Sequence, residues 1–296
     1  MTSPLRLAIL LVLAAGCAGG TTNVPQPVTQ GFPGFDTGIY PGDAAMRAWL
    51  RPTSPYHWVG YYLPAPCHRD ASWAGKRETL AAMGWGVGVL YVGQQTWEGL
   101  PDRIATPDTA RRAADTLKAE ATAQRSITCS RTLLTEAQGT TEADDAIAKA
   151  AADGFGRGAR IFLDIERMTT IPQAMRDYYR AWVRRVLADG RFRPAIYSHQ
   201  RNAAEIYADV RAVFDAAGVR EEPSFWISSP ATFTVASSPT DVGFRFARVW
   251  QGVFDATQTW NGVTLRVDVN VADSPSPSAS GPIAANAGQT APARAP

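Results

Sequence analysis

The strongest constraint in this chain is a series of short apolar segments separated by stretches with helical period. His57–Leu63 and Gly86–Gln94 are rich in Val and Tyr, residues that suit a pleated, packed surface. Arg160–Glu166, Arg193–Ser198, Ser224–Ser228, Phe244–Gln251 and Thr264–Val271 follow, and Gly34-Phe35-Asp36 is a short candidate ahead of them all. Between them, Met175, Tyr178, Tyr179, Trp182 and Val186 share one face at the 3.6 period, as do Ala203, Ile206, Tyr207, Val210, Val213, Phe214 and Ala217. Thr106-Pro107-Asp108 opens another helix, and Thr141 followed by Asp144 opens one through Ala152. Gly190 and Gly218 are helix stops. Near-continuous apolar strands alternating with helices indicate a parallel sheet covered on its outside. Eight such strands predict an α/β fold, a single-domain TIM-like (β/α)8 barrel over residues 32–273. An open doubly wound sheet is the alternative, but its usual Gly-rich first turn is missing. Gly154-Phe155-Gly156-Arg157-Gly158-Ala159 precedes a strand, so it reads as a helix-to-strand loop.

The two ends of the chain fall outside that pattern. Arg6 precedes the apolar run Leu7–Leu13, and Ala14-Ala15-Gly16-Cys17 follows as a small-residue cleavage site, so residues 1–17 read as an export signal. A Cys directly after small residues resembles the bacterial lipobox, in which Cys17 would carry lipid and tether the protein to a membrane. Ordinary secretion with cleavage nearby is the alternative. Residues 18–31 are a tether without periodicity, and residues 274–296 are a Pro/Ser/Ala tail with too few apolar residues to fold. With Cys17 set aside, Cys67 and Cys129 are an even pair in an exported protein, for which a disulfide is expected. Lys+Arg 29 against Asp+Glu 27 is close to balance, and no basic cluster stands out, so no nucleic-acid partner is expected.

In a (β/α)8 barrel the site lies at the C-terminal ends of the strands. Here Asp36 ends the first strand. Asp164 and Glu166 end the fourth and, being two apart, share one face. Tyr197 and Ser198 end the fifth, with His199 next; Trp226 and Ser228 lie on the sixth; Trp250 and Gln251 end the seventh; Asp268 and Asn270 share a face of the eighth. Carboxylates repeatedly buried at strand ends are costly as structure alone and are what acid–base hydrolysis of a glycosidic bond requires. Arg266 shares a face with Asp268 and is the cation expected to pair with it if the carboxylates are structural.

Asp36, Asp164/Glu166, Pro194-Ala195-Ile196-Tyr197-Ser198, Phe225-Trp226-Ile227, Val249-Trp250-Gln251 and Val267-Asp268-Val269-Asn270 together resemble the family 25 glycoside hydrolases, the Chalaropsis-type lysozymes. Gly34-Phe35-Asp36-Thr37, Gly60-Tyr61-Tyr62-Leu63 and Leu90-Tyr91-Val92-Gly93-Gln94-Gln95 are more similar still to a related glycoside-hydrolase-like domain of unknown function in secreted bacterial proteins. The resemblance implies a cell-envelope hydrolase acting on peptidoglycan or a similar N-acetylated glycan, without metal or organic cofactor. It implies Glu166 as proton donor, Asp164 as the carboxylate that orients an acetamide or steadies positive charge, and Asp36 and Asp268 as their companions. Tyr62, Tyr91, Tyr197, Trp226, Trp250, Gln251 and Asn270 are the candidate substrate contacts. His199, Trp97 and Trp260 are further candidates at the rim. The alternative is a silent glycan-binding or envelope-organising protein on the same barrel.

Overall fold

A computed structural model describes residues 31–96 and 129–279. Its strands are β1 (Phe32–Asp36), β2 (Trp58–Tyr62), β3 (Gly86–Val92), β4 (Arg160–Ile165), β5 (Arg193–His199), β6 (Ser224–Ser228), β7 (Ala247–Trp260) and β8 (Val263–Ala272). They close in sequence order into one barrel. Among the described residues the helices are α1 (Asp43–Ala48), α2 (Arg77–Met83), α3 (Glu136–Ala152), α4 (Gln173–Asp189) and α5 (Gln200–Ala216). Gly190 caps α4 in the left-handed conformation. Helix α3 starts earlier than Thr141, because the Thr135 hydroxyl accepts from the Gln138 N–H and caps it there. Trp97, the helix expected at Thr106, Cys17 and the export signal lie outside the described residues.

Two packed layers follow from side-chain alternation. Trp58, Leu90, Phe162, Ala195, Trp226, Val249 and Ala272 point inward and fill the lumen. Residues between them, such as Phe35, Tyr91, Leu163, Ile196, Phe225 and Trp250, point outward into the core beneath the helices. Gly88 makes room for the lumen tryptophans: a Cβ there would lie 3.0 Å from Trp226 and 3.3 Å from Trp58.

Strands β1 to β7 are parallel, as expected, but β8 runs antiparallel to both β7 and β1. A two-residue turn, Asn261-Gly262, joins β7 to β8, with φ of 47° and 76°. Positive φ at both positions is the turn whose twist matches an antiparallel hairpin, and so short a link leaves no length for a parallel crossover. Residues 252–263, expected as a connection, instead prolong both strands into an arm that leaves the barrel through two register shifts. The arm lies against α1 and the loop before β2: Trp49 Nε1 donates to the Val263 carbonyl at 3.0 Å, and Tyr56 Oη to Gln258 Oε1 at 2.6 Å.

The packed chain also runs six residues past Asp273, the expected end of the barrel. Ser276 and Ser278 fill the notch where β3 has begun and β4 has not yet paired with it. Val89 N–H donates to Ser278 Oγ at 2.7 Å, and Arg160 N–H to the Ser278 carbonyl at 2.9 Å.

Candidate active site

The expected carboxylates meet at the C-terminal mouth of the barrel. Asp36 ends β1, and its Cα partner across the β1–β8 ladder is Asp268. The reversal of β8 thus leaves Asp268 level with the parallel strand ends, because it lies near the middle of its strand. Asp164 is in register with Val92 on β3 and Tyr197 on β5. Glu166 stands just beyond β4, half-buried, while Asp36 and Asp164 are only 5% and 8% exposed. Gly60 is what lets Asp36 sit inside: a Cβ there would lie 2.4 Å from the Asp36 Cβ.

Neutral donors hold two of these charges. Tyr62 Oη donates to Asp36 Oδ1 at 2.7 Å, and Asn270 Nδ2 to Asp36 Oδ2 at 2.8 Å. Asn270 Oδ1 accepts from Trp226 Nε1 at 3.0 Å. An indole only donates, so that bond turns the Asn270 amide nitrogen toward Asp36. Asp268 accepts from Gln251 Nε2 and, at 2.6 Å, from the Asp255 N–H. Hydrogen bonds to a charged group contribute about 1.5–3 kcal/mol each and offset part of the desolvation of the carboxylates. Arg266, half exposed, pairs with Asp255 at 3.2 Å instead of with Asp268.

Two phenols register the combined field. Burial pushes the Tyr62 hydroxyl well up, and Asp36, Asp164 and Asp268 push it further. Burial does the same to Tyr197, reinforced by Glu166, Asp164 and Asp36. A phenolate beside carboxylates is disfavoured by low dielectric and by like charge, so both remain hydrogen-bond donors. The His68 ring lies against Tyr62, with centroids 4.8 Å apart.

The candidate substrate contacts divide into groups. Tyr62 and Tyr197 are among the carboxylates. Gln251 and Asn270 are buried beside them and hold Asp268 and Asp36. Trp226 is the floor, edge-on to Trp58 at 5.2 Å and to Phe162 at 5.6 Å. Tyr91 and Trp250 do not line the mouth. Alternation turns both outward, where Tyr91 Oη donates to Asp145 on α3 at 2.8 Å and Trp250 Nε1 to the Ser229 carbonyl at 2.8 Å. Trp260 is on the arm against Tyr56. His199 caps α5, its Nδ1 accepting from the Arg201 N–H at 3.0 Å; burial, then Arg167 and Arg201, hold its pKa below the usual imidazole range.

Cys67 and Cys129 form a disulfide with Cα atoms 4.9 Å apart. It ties the loop after β2, which carries His68, to the chain entering α3. Sequence reasoning gave no role to Gln95 or His68. The signal for Gln95 was its place, a polar residue directly beyond an apolar strand that ends at the mouth.

A model of the Rv2525c-like, glycoside hydrolase-like domain family matches residues 47–272. Among solved structures, the chain is similar to an uncharacterized protein of B. stearothermophilus. The identity is 17%, with 82% of this chain and 96% of that one covered and a TM-score of 0.49. It is similar to the modular autolysin LytC from Streptococcus pneumoniae at 12% identity, covering 81% of this chain and 46% of that one, with a TM-score of 0.49. It is also similar to the Tat-secreted protein Rv2525c of Mycobacterium tuberculosis, at 16% identity, 82% and 94% coverage and a TM-score of 0.43. No curated protein matches the chain.

Proposed function

This chain belongs to the Rv2525c-like, glycoside hydrolase-like domain family, and from that premise we propose that it hydrolyses glycosidic bonds in peptidoglycan or a similar N-acetylated glycan. One observation carries the reading: Asp36 lies level with Asp268 across the β1–β8 ladder and accepts from Tyr62, and Asp164 lies level with Tyr197, so carboxylates of β1, β4 and β8 face a single barrel mouth. Breaking an acetal requires one carboxyl to give a proton and another to face positive charge, and carboxylates from three strands gathered at one barrel mouth can supply both.

In this reading Glu166 gives its proton to the glycosidic oxygen as the C–O bond breaks. Asp164 stays ionised. It steadies the charge developing on the sugar, or orients an acetamide whose oxygen attacks the anomeric carbon in place of an enzyme nucleophile. Water then adds to the anomeric carbon and its proton returns to Glu166. Asp36 and Asp268 hold a sugar hydroxyl or the attacking water, and Tyr62 and Tyr197 donate to the substrate or to the carboxylates. This scheme uses no metal or organic cofactor.

The apolar run Leu7–Leu13 before Cys17 supports export to the cell envelope, and a disulfide persists in an oxidising compartment. Lipid on Cys17 would anchor the protein to the membrane; otherwise it is freely secreted.

The test compares wild type with Glu166→Gln on peptidoglycan and on N-acetylglucosamine oligomers, with new reducing ends as the readout. Wild type should release them and the variant should lose roughly 1,000-fold in rate. Glycan binding by both proteins without new reducing ends would leave a glycan-holding protein and end the hydrolase reading for these substrates.

A further inference from the structure

The side chain of Gln95 continues a β-ladder past the point where its own backbone leaves it. Strands β3 and β4 pair from Val89 with Ile161 to Val92 with Asp164, so Gly93 would next face Ile165. β3 ends at Val92 instead. Gly93 passes so close to Tyr178 that a Cβ would lie 2.2 Å from the phenol oxygen. In a parallel ladder, a residue donates to the carbonyl preceding its partner and accepts from the N–H following it. The Gln95 carboxamide does both. Its Nε2 donates to the Asp164 carbonyl at 2.8 Å, and its Oε1 accepts from the Glu166 N–H at 3.0 Å. The same nitrogen lies 3.4 Å from the Gly93 carbonyl. The amide's orientation is dictated by its partners, since a carbonyl only accepts and an N–H only donates.

Gln95 is 1% exposed, so water does not readily take over these bonds. The neighbouring residue is tied down as well. Gln94 N–H donates to Tyr178 Oη at 3.1 Å, its Nε2 donates to Glu142 Oε1 at 2.7 Å, and its Oε1 accepts from the Ser130 N–H at 2.8 Å. Burial raises the pKa of Glu142, and Tyr178, Gln138 and Gln94 all donate to it. The clamp is therefore mounted on a packed, hydrogen-bonded support.

We propose that Gln95 is the positioning residue for the Asp164–Glu166 pair, standing in for a strand neighbour so that the last residue of the pair keeps strand geometry and faces the mouth. This rests on the hydrolase reading of that mouth. It acts through the backbone of both carboxylates and touches no substrate. A proton donor displaced by about 1 Å loses on the order of 100-fold in rate, so the clamp should matter to turnover far more than to binding.

The experiment measures kcat and KM of wild type, Gln95→Ala and Gln95→Glu on N-acetylglucosamine oligomers across pH, with amide hydrogen exchange on the same proteins. Gln95→Ala should lose about 100-fold in kcat while KM moves less than about three-fold. In Gln95→Glu a protonated carboxyl can donate to Asp164 and accept from Glu166, whereas an ionised one cannot donate and adds charge beside the pair. Its kcat relative to wild type should therefore rise as pH falls, a trend that a general loss of stability would not produce. In Gln95→Ala the Glu166 amide should exchange roughly ten-fold faster, with Tyr197 on β5 unchanged. A kcat within three-fold of wild type, or a flat pH ratio for Gln95→Glu, overturns the proposal. An inactive wild type with faster Glu166 exchange in the variant removes the hydrolase reading and leaves the clamp standing. Unchanged Glu166 exchange removes the clamp whatever the activity.

Discussion

Asp36 shows how a charge is kept inside this barrel. Its β2 neighbour in the ladder is glycine, which leaves space, and Tyr62 and Asn270 supply donors. Removing one donor should leave the fold and weaken the site. Tyr62→Phe deletes a hydrogen bond to a buried carboxylate, so roughly a ten-fold fall in kcat/KM is expected together with a loss of about 1.5–3 kcal/mol of stability, measured by reducing-end assay and calorimetry. The same phenols set an alkaline limit. Tyr62 and Tyr197 are raised in the folded state, whereas the unfolded chain ionises near pH 10. Their contribution to stability is full below that pH and declines above it, because the unfolded chain releases protons that the folded one keeps. Tyr56, pushed up to about 12 by burial, adds to the effect. A pH titration of phenolate absorbance, followed together with circular dichroism, should show these tyrosines ionising only as the protein unfolds. Separate ionisation near pH 10 in the folded state would contradict that account.

Among the elements, the β7–β8 hairpin departs most from a regular barrel. Asn261-Gly262 between two alternating strands is a strong hairpin signal, and it was legible in the sequence. Strand bounds at Gln251 and Thr264 leave twelve residues between them, the length of a crossover, whereas the structure spends nearly all of them on prolonging both strands. The arm covers the outside of the barrel near α1 through Trp49, Tyr56 and Trp260. Gly262 carries φ of 76°, a conformation that costs an L-residue about 1 kcal/mol. Gly262→Ala should accordingly lower the stability measured in urea by about 1 kcal/mol with an unchanged slope, and leave turnover intact, since the mouth lies at the other end of the arm. Helix α3 teaches a similar lesson at its start. Thr135 with Gln138 is the cap, and Thr141 lies inside a helix already formed.

For the whole molecule, the bottom of the barrel is closed by a segment whose composition suggested no structure. Ser276 and Ser278 serve the backbone of β3 and β4, and Gly86 is pressed against the Pro275 carbonyl. A chain ending at Asp273 should be less stable than one ending at Ala279 by about 2 kcal/mol, because Val89 and Arg160 lose acceptors for their N–H groups; urea unfolding of the two chains measures it. Equal stability would mean that water replaces the segment without loss. The sequence by itself determined the strand order, the closed α/β barrel and the presence of carboxylates at strand ends, because apolar runs, helical period and residue position are local properties of the chain. Only the tertiary structure decided which candidates share the mouth. Tyr91 and Trp250 stand one residue from inward-facing Leu90 and Gln251, and the pleat sends them to the opposite side. Asp268 reaches Asp36 through a reversed strand, and Gln95 reaches Asp164 and Glu166 only after its own strand has ended. Facing and register depend on where a neighbouring strand lies, and that is a property of the closed barrel.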